Sequence, residues 1–160
     1  MRIVEEKVYL FDELSDSAKE NAREWYTSNG VEYFWWNDAL SSIKKFCHHF
    51  NVGIKNYEVG AFSYSWMTTT AEGQHFRGLK LKDYDPDKMQ QDYCLDIDLW
   101  REFHEVWKDS GDPLKAFKSA IDSAIDSVRK DWEYQYSDES VDENITINEY
   151  EFTEDGKRYA

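Results

Sequence analysis

The sequence predicts an α+β fold in a single domain spanning residues 1–160: a mainly antiparallel sheet of about five or six strands packed against about four helices. Three observations predict it. Apolar residues recur at helical spacing in four segments, they alternate at period two in several others, and no Pro/Gly-rich linker divides the chain. At 160 residues the chain has the ordinary size of one domain, and folding removes roughly two thirds of the unfolded surface from water. The charged fraction is 32%, but seven Trp, eleven Tyr and nine Phe are far more apolar bulk than a disordered chain carries.

Residues 3–11 place Val4, Val8 and Leu10 in alternation with Glu5, Lys7 and Tyr9, a strand pattern that Glu6 interrupts. Ser15 is a good N-cap, because its hydroxyl can accept from a free first-turn amide, and Asp16 adds charge of the favoured sign. Leu14, Ala18, Ala22 and Trp25 or Tyr26 then repeat at helical spacing until Ser28-Asn29-Gly30 stops the helix. A second helix carries Trp36, Ala39, Leu40, Ile43, Phe46, Cys47 and Phe50 on one stripe and ends at Asn51-Val52-Gly53.

From Ile54 the period becomes two, with Phe62, Tyr64 and Trp66 alternating with serines, so residues 54–59, 62–70 and 75–82 read as an antiparallel meander. Tyr93, Leu95, Ile97 and Leu99 alternate with Cys94, Asp96 and Asp98 and read as a further strand over residues 92–98. Trp100, Phe103, Val106 and Trp107 return to helical spacing, with Gly111 as the stop. Asp112-Pro113 is a cap followed by proline at the first helical position, where its missing amide costs least. Leu114, Phe117, Ile121, Ala124, Ile125, Val128 and Trp132 keep one face of the longest helix. Ile145, Ile147 and Tyr150 to Phe152 read as a strand, and Glu154-Asp155-Gly156 as a turn returning through Lys157, Arg158 and Tyr159.

Nineteen Lys and Arg against thirty-three Asp and Glu leave a net charge of −14. That sign disfavours direct nucleic-acid binding and attachment to anionic lipid, both of which use cations. A protein partner with a basic surface fits it, since opposed fields speed association. The N-terminus has no apolar run of signal-peptide length and no stretch is long enough to span a bilayer, so a cytosolic protein is expected, with Cys47 and Cys94 as free thiols.

Little in the chain points to catalysis. Cys47-His48-His49 are adjacent on a helix, about 100° apart each, and cannot share a tetrahedral metal without ligands from elsewhere. Asp96 and Asp98, on one edge of the expected strand, could help hold Mg²⁺ with His104 nearby, which keeps a metal-dependent hydrolase or nuclease as an alternative. The phosphate-loop, zincin and hydrolase signatures are missing, and no catalytic residue, resident metal or cofactor is expected.

The strongest nonrandom feature is electrostatic: residues 131–155 contain ten Asp or Glu and no Lys or Arg. The expected partner-binding residues are Asp131, Glu133, Asp138, Glu139, Asp142, Glu143, Glu149 and Glu151, with Tyr134 and Tyr136 as apolar anchors. Carboxylates held on a rigid scaffold imitate the phosphate array of a duplex and suit a basic groove; a merely solvated face is the alternative. Tyr33-Phe34-Trp35-Trp36 span the circumference of a helical turn, so some of them pack under the sheet and others meet another element or a partner.

The segment Phe11-Asp12-Glu13-Leu14-Ser15 with Ala18-Lys19, Ala22 and Trp25-Tyr26, and the ending from Asn148-Glu149-Tyr150-Glu151-Phe152 through Thr153-Glu154-Asp155-Gly156-Lys157-Arg158-Tyr159, resemble a family of small bacteriophage and prophage proteins, some labelled antitoxin-like. The resemblance covers both ends, and the middle only by pattern. In that family the first meander carries a Gly-Asp-Gly turn that Gly60-Ala61-Phe62-Ser63-Tyr64-Ser65-Trp66 lacks, so a function tied to that turn does not transfer. The resemblance implies a phage origin and no catalytic residues. With the charge pattern, it leads to the expectation of a phage-encoded protein that binds and inhibits a host protein, such as a nucleic-acid-handling defence complex. An antitoxin that neutralises a cognate toxin is the alternative within the same class.

Overall fold

Ser15 and Ser137 each open a helix by accepting a hydrogen bond from the amide three residues on, Ala18 and Ser140, both at 3.3 Å. These caps lie in the computed structural model of the chain, which describes residues 1–159. Its elements run β1 (Tyr9–Leu10), α1 (Asp16–Thr27), α2 (Trp36–His49), β2 (Ile54–Glu58), β3 (Trp66–Thr69), α3 (Asp96–Ser110), α4 (Pro113–Tyr134), α5 (Asp138–Ile147) and β4 (Glu151–Phe152), with short 3₁₀ turns between. The contacts separate into two units, one made of residues 1–33 and 133–160, the other of residues 34–132. Among the described residues no helix is long and apolar enough to cross a membrane.

The expected sheet of five or six strands is wrong. The chain is about 54% helical, and its strands form two separate two-stranded antiparallel pairs, β1 with β4 and β2 with β3. Four misread segments account for the difference. Of residues 3–11 only Tyr9–Leu10 pair, opposite Phe152 and Glu151; a 3₁₀ turn over Phe11–Glu13 follows at once, and Ile3, Val4 and Val8 lie exposed. The meander reduces to the β2–β3 hairpin. Beyond it Phe76 and Tyr84 sit in the helical core from 3₁₀ turns, so their spacing reflects anchors dropped into a core rather than alternation along a strand.

Residues 92–98 are a turn and the start of α3, because the Asp96 carboxylate accepts the amides of Asp92 (2.7 Å) and Tyr93 (3.0 Å) and closes the chain on itself. Leu95 and Leu99 then fall one turn apart, and Leu99, Trp100, Phe103 and Trp107 are buried along one face. Similarly, Ile145 belongs to α5 with Val141 four residues earlier, both buried, while Ile147 points outward.

In the terminal unit, Phe11, Leu14, Ala18, Ala22, Val141, Ile145 and Phe152 make the core. Ala18 and Ala22 are what lets neighbours come close to α1. α5 packs there, and so does the C-terminal turn, where the Asn21 side-chain amide donates to the carbonyl of Asp155 at 2.8 Å. Trp25 meets Tyr150 and Phe152 edge-on at 5.2 and 5.7 Å, and the Arg158 guanidinium lies over Tyr150 at 4.9 Å.

The other unit is built on aromatic packing. Phe46 and Phe50 of α2 meet Phe103 of α3 and Phe117 of α4, with Phe46 stacked on Phe117 at 5.2 Å. Gly111, in the left-handed conformation, ends α3, and Asp112 then caps α4 by accepting from Leu114 and Lys115 at 3.0 and 3.2 Å, as the Asp-Pro pair predicts. Ser42, fully buried, accepts the amide of Leu95 at 3.0 Å and so is satisfied. Cys47 is buried in this core, which pushes its thiol up to about 12, while Cys94 is exposed. Trp36 rests on Tyr57 of β2 at 5.5 Å and Tyr33 is buried, whereas Phe34 and Trp35 remain 79% and 58% exposed and pack under no sheet.

Gly156 has φ +82°, and a Cβ there meets the carbonyl oxygen of Ala18 at 2.0 Å. Gly156→Ala is therefore expected to destabilise the terminal unit by more than about 3 kcal/mol in urea unfolding, against about 1 kcal/mol for Gly111→Ala, whose added methyl meets open space.

Candidate functional site: an acidic helical face

Charge divides unevenly between the two units. The terminal unit has six Lys and Arg against seventeen Asp and Glu, a net of −11, while residues 34–132 have thirteen against sixteen, a net of −3. Within the terminal unit seven of the seventeen carboxylates lie on α1 and α5. Asp16, Glu20 and Glu24 follow one another at one-turn intervals on α1, and Asp138/Asp142 and Glu139/Glu143 make two such rows on α5.

Arg23 joins the two helices. Its Nε and one terminal nitrogen donate to the two oxygens of Asp142, both at 2.7 Å, in the forked geometry that suits a guanidinium. The other terminal nitrogen lies 3.1 Å from Glu20 and 3.8 Å from Asp138. Asp142 raises the Arg23 guanidinium above its ordinary value, with Asp138 and Glu20 adding to it. Three carboxylates thus surround one base, and the cluster keeps excess negative charge. The second α5 row faces Tyr134, whose phenol is raised by the charge of Glu139, by its hydrogen bond to Glu139 and by Glu143.

Helix-terminal electrostatics explains only part of this. Asp16, Asp138 and Glu139 lie in first turns, where negative charge is favoured. Glu20, Glu24, Asp142 and Glu143 do not. Like charges one turn apart each cost about 0.2–0.5 kcal/mol, so the four pairs together cost roughly 1–2 kcal/mol. The single Arg23 offsets this around one row and leaves Glu24 and Glu143 unneutralised.

The structure brings together some of the expected binding residues and separates others. Asp138 and Asp142 share Arg23, and Glu139 and Glu143 share Tyr134, which is 47% exposed. Tyr136 has a structural task, its hydroxyl accepting the amide of Val31 at 2.9 Å. Glu133 is half-buried at the end of α4. Asp131 belongs to the other unit. Glu149 and Glu151, both exposed, flank Tyr150 where the chain enters β4, and Glu149 takes a left-handed φ of 51°. Asp155 pairs with Lys157 at 2.7 Å and accepts from Thr153, which draws its carboxyl down to about 2.

Asp16, Glu20, Glu24 and Arg23 were not among the expected site residues, although the four-residue spacing of the three acids is visible in the sequence. The metal alternative loses its geometry: on α3 Asp96 and Asp98 point about 200° apart, and Asp96, only 3% exposed, is engaged by two amides and by Lys45 at 3.5 Å.

Asp142→Asn is expected to lower the stability of the terminal unit by about 1–2 kcal/mol, because it breaks a half-buried forked pair. Glu143→Gln, which removes an unneutralised charge, is expected to leave stability within about 0.5 kcal/mol or raise it; urea unfolding followed by terminal-unit amide resonances distinguishes the two. No protein-family model, curated protein or solved structure matches the chain.

Proposed function

We propose that this chain is a stoichiometric binding protein whose α1–α5 face docks on a basic surface of another protein, and that it inhibits that protein by occupying a groove which otherwise receives nucleic acid. The observation that carries the proposal is the concentration of charge: −11 of the total −14 lies in the terminal unit, where seven of the seventeen carboxylates form rows one helical turn apart on α1 and α5, joined through Arg23. Desolvating such a face against Lys and Arg removes the self-repulsion that the free protein bears, so part of the binding energy is already stored in the scaffold. Tyr134 offers an aromatic contact beside the Glu139/Glu143 row, where charge alone gives steering but little anchoring.

The likeness of both termini to small phage proteins supports a host protein as the target, with a nucleic-acid-handling defence complex as the candidate class. Mimicry is narrower than the ten-residue acidic run implies. Asp142 and Asp155 spend their charge internally; the exposed acids on α1 and α5 are Asp16, Glu20, Glu24, Asp138, Glu139 and Glu143, and Glu149, Glu151 and Glu154 are exposed beyond them.

Capture from bacterial lysate with the wild-type chain and with a Glu20→Lys/Glu24→Lys/Glu139→Lys/Glu143→Lys variant tests this. The expected outcome is a protein that binds the wild type at low salt, dissociates as salt rises, and binds the variant at least about a hundredfold more weakly. A protein that holds both chains equally, at any salt, overturns the assignment of the face.

A further inference from the structure

Residues 34–132 contain an open groove whose rim carries the exposed Lys44 and His48 of α2. Ser41, Lys44, Lys45 and His48 share one face of α2 and line an open groove of about 770 Å³, within the range that small-molecule sites occupy. Its floor is apolar, formed by Cys47 and Val52, both buried, with Ile54 from β2 and the ring of Tyr93 as walls.

Asp92 is the one carboxylate in the lining, and it is already satisfied. One oxygen accepts from Lys45 at 2.5 Å, the other from Gln90 at 3.1 Å. Lys45 is held further by the buried Asp96, which also fixes the turn bearing Asp92 and Tyr93. Lys45 is therefore fully compensated by Asp92 and Asp96 and offers no free charge to the groove. Lys44 and His48, one turn apart and exposed at the rim, have no carboxylate opposite them and are the uncompensated polar groups of the groove.

We propose that this groove binds a small organic anion, a carboxylate with an apolar chain or ring. The anionic end meets Lys44 and His48, and the apolar body lies on Val52, Ile54 and the Tyr93 ring. The overall charge of −14 does not oppose this, because the Debye length is about 8 Å at physiological salt and the local cations decide the field. Residues 34–132 carry only −3. The fixed Lys45–Asp92–Asp96 network supplies the rigid support that a preformed site needs.

Octanoate is a suitable probe, with 1-octanol as the uncharged control, titrated into the full chain and followed by amide chemical shifts. The expected result is saturable movement of resonances in residues 41–54 and 92–93, with octanoate binding about tenfold more tightly than octanol. A Lys44→Ala/His48→Ala variant, altered only at exposed positions, is expected to lose that tenfold advantage and to keep its octanol affinity. Equal affinity for the two probes in the wild-type chain, saturable shifts elsewhere, or no saturation at millimolar octanoate overturns the proposal.

Discussion

The Arg23 guanidinium is the constraint on which the acidic face depends. It sits where α1 and α5 meet and takes a forked pair of hydrogen bonds to Asp142 with further contacts to Glu20 and Asp138. Without it the two helices would bring their acidic rows together with no base hydrogen-bonded between them. With it, the rows coexist but are not neutralised. The arrangement keeps a negative field at close quarters while Ala18, Ala22, Val141 and Ile145 supply the packing that holds the helices in place.

Stability and charge are consequently separated. The aromatic cluster around Phe46, Phe50, Phe103 and Phe117 stabilises residues 34–132 with little net charge, whereas the terminal unit has a smaller core and bears most of the repulsion. The C-terminal turn, seated on Ala18 through Gly156, secures the ends of that small core. An unsupported acidic segment would remain disordered; an ordered one holds its carboxylates at set spacings, which recognition of a basic groove requires.

Helices with a continuous apolar stripe were legible in the sequence, two of them with a cap as well. Ser15 with Ala18 and Ala22, the Trp36 to Phe50 stripe, and Asp112-Pro113 before Leu114 all stand where spacing places them. The failures share a cause: a short alternation of apolar residues fits either period, and tertiary anchors decide. Leu95, Ile97 and Leu99 fit a strand until Asp96 closes a turn on the amides of Asp92 and Tyr93, and Ile145 with Ile147 fits one until Ser137 caps a helix that makes Val141 the partner of Ile145. No linker marks the boundary of the two units, since the chain passes from one to the other at Tyr33-Phe34 and in the last turn of α4. The acidic run itself was legible, but its division into neutralised and outward-facing members required the position of Arg23, a residue more than a hundred positions away.

The terminal unit holds like charges against their own repulsion. Its thermal midpoint as a function of salt measures this directly. From about 10 mM to about 0.5 M sodium chloride the Debye length falls from about 30 Å to about 4 Å, so screening removes most of the exposed repulsion. The account predicts a midpoint for this unit that rises across that range. A midpoint that falls or stays level would mean that Arg23 and its neighbours already balance the face, and that it holds no field for a partner to relieve.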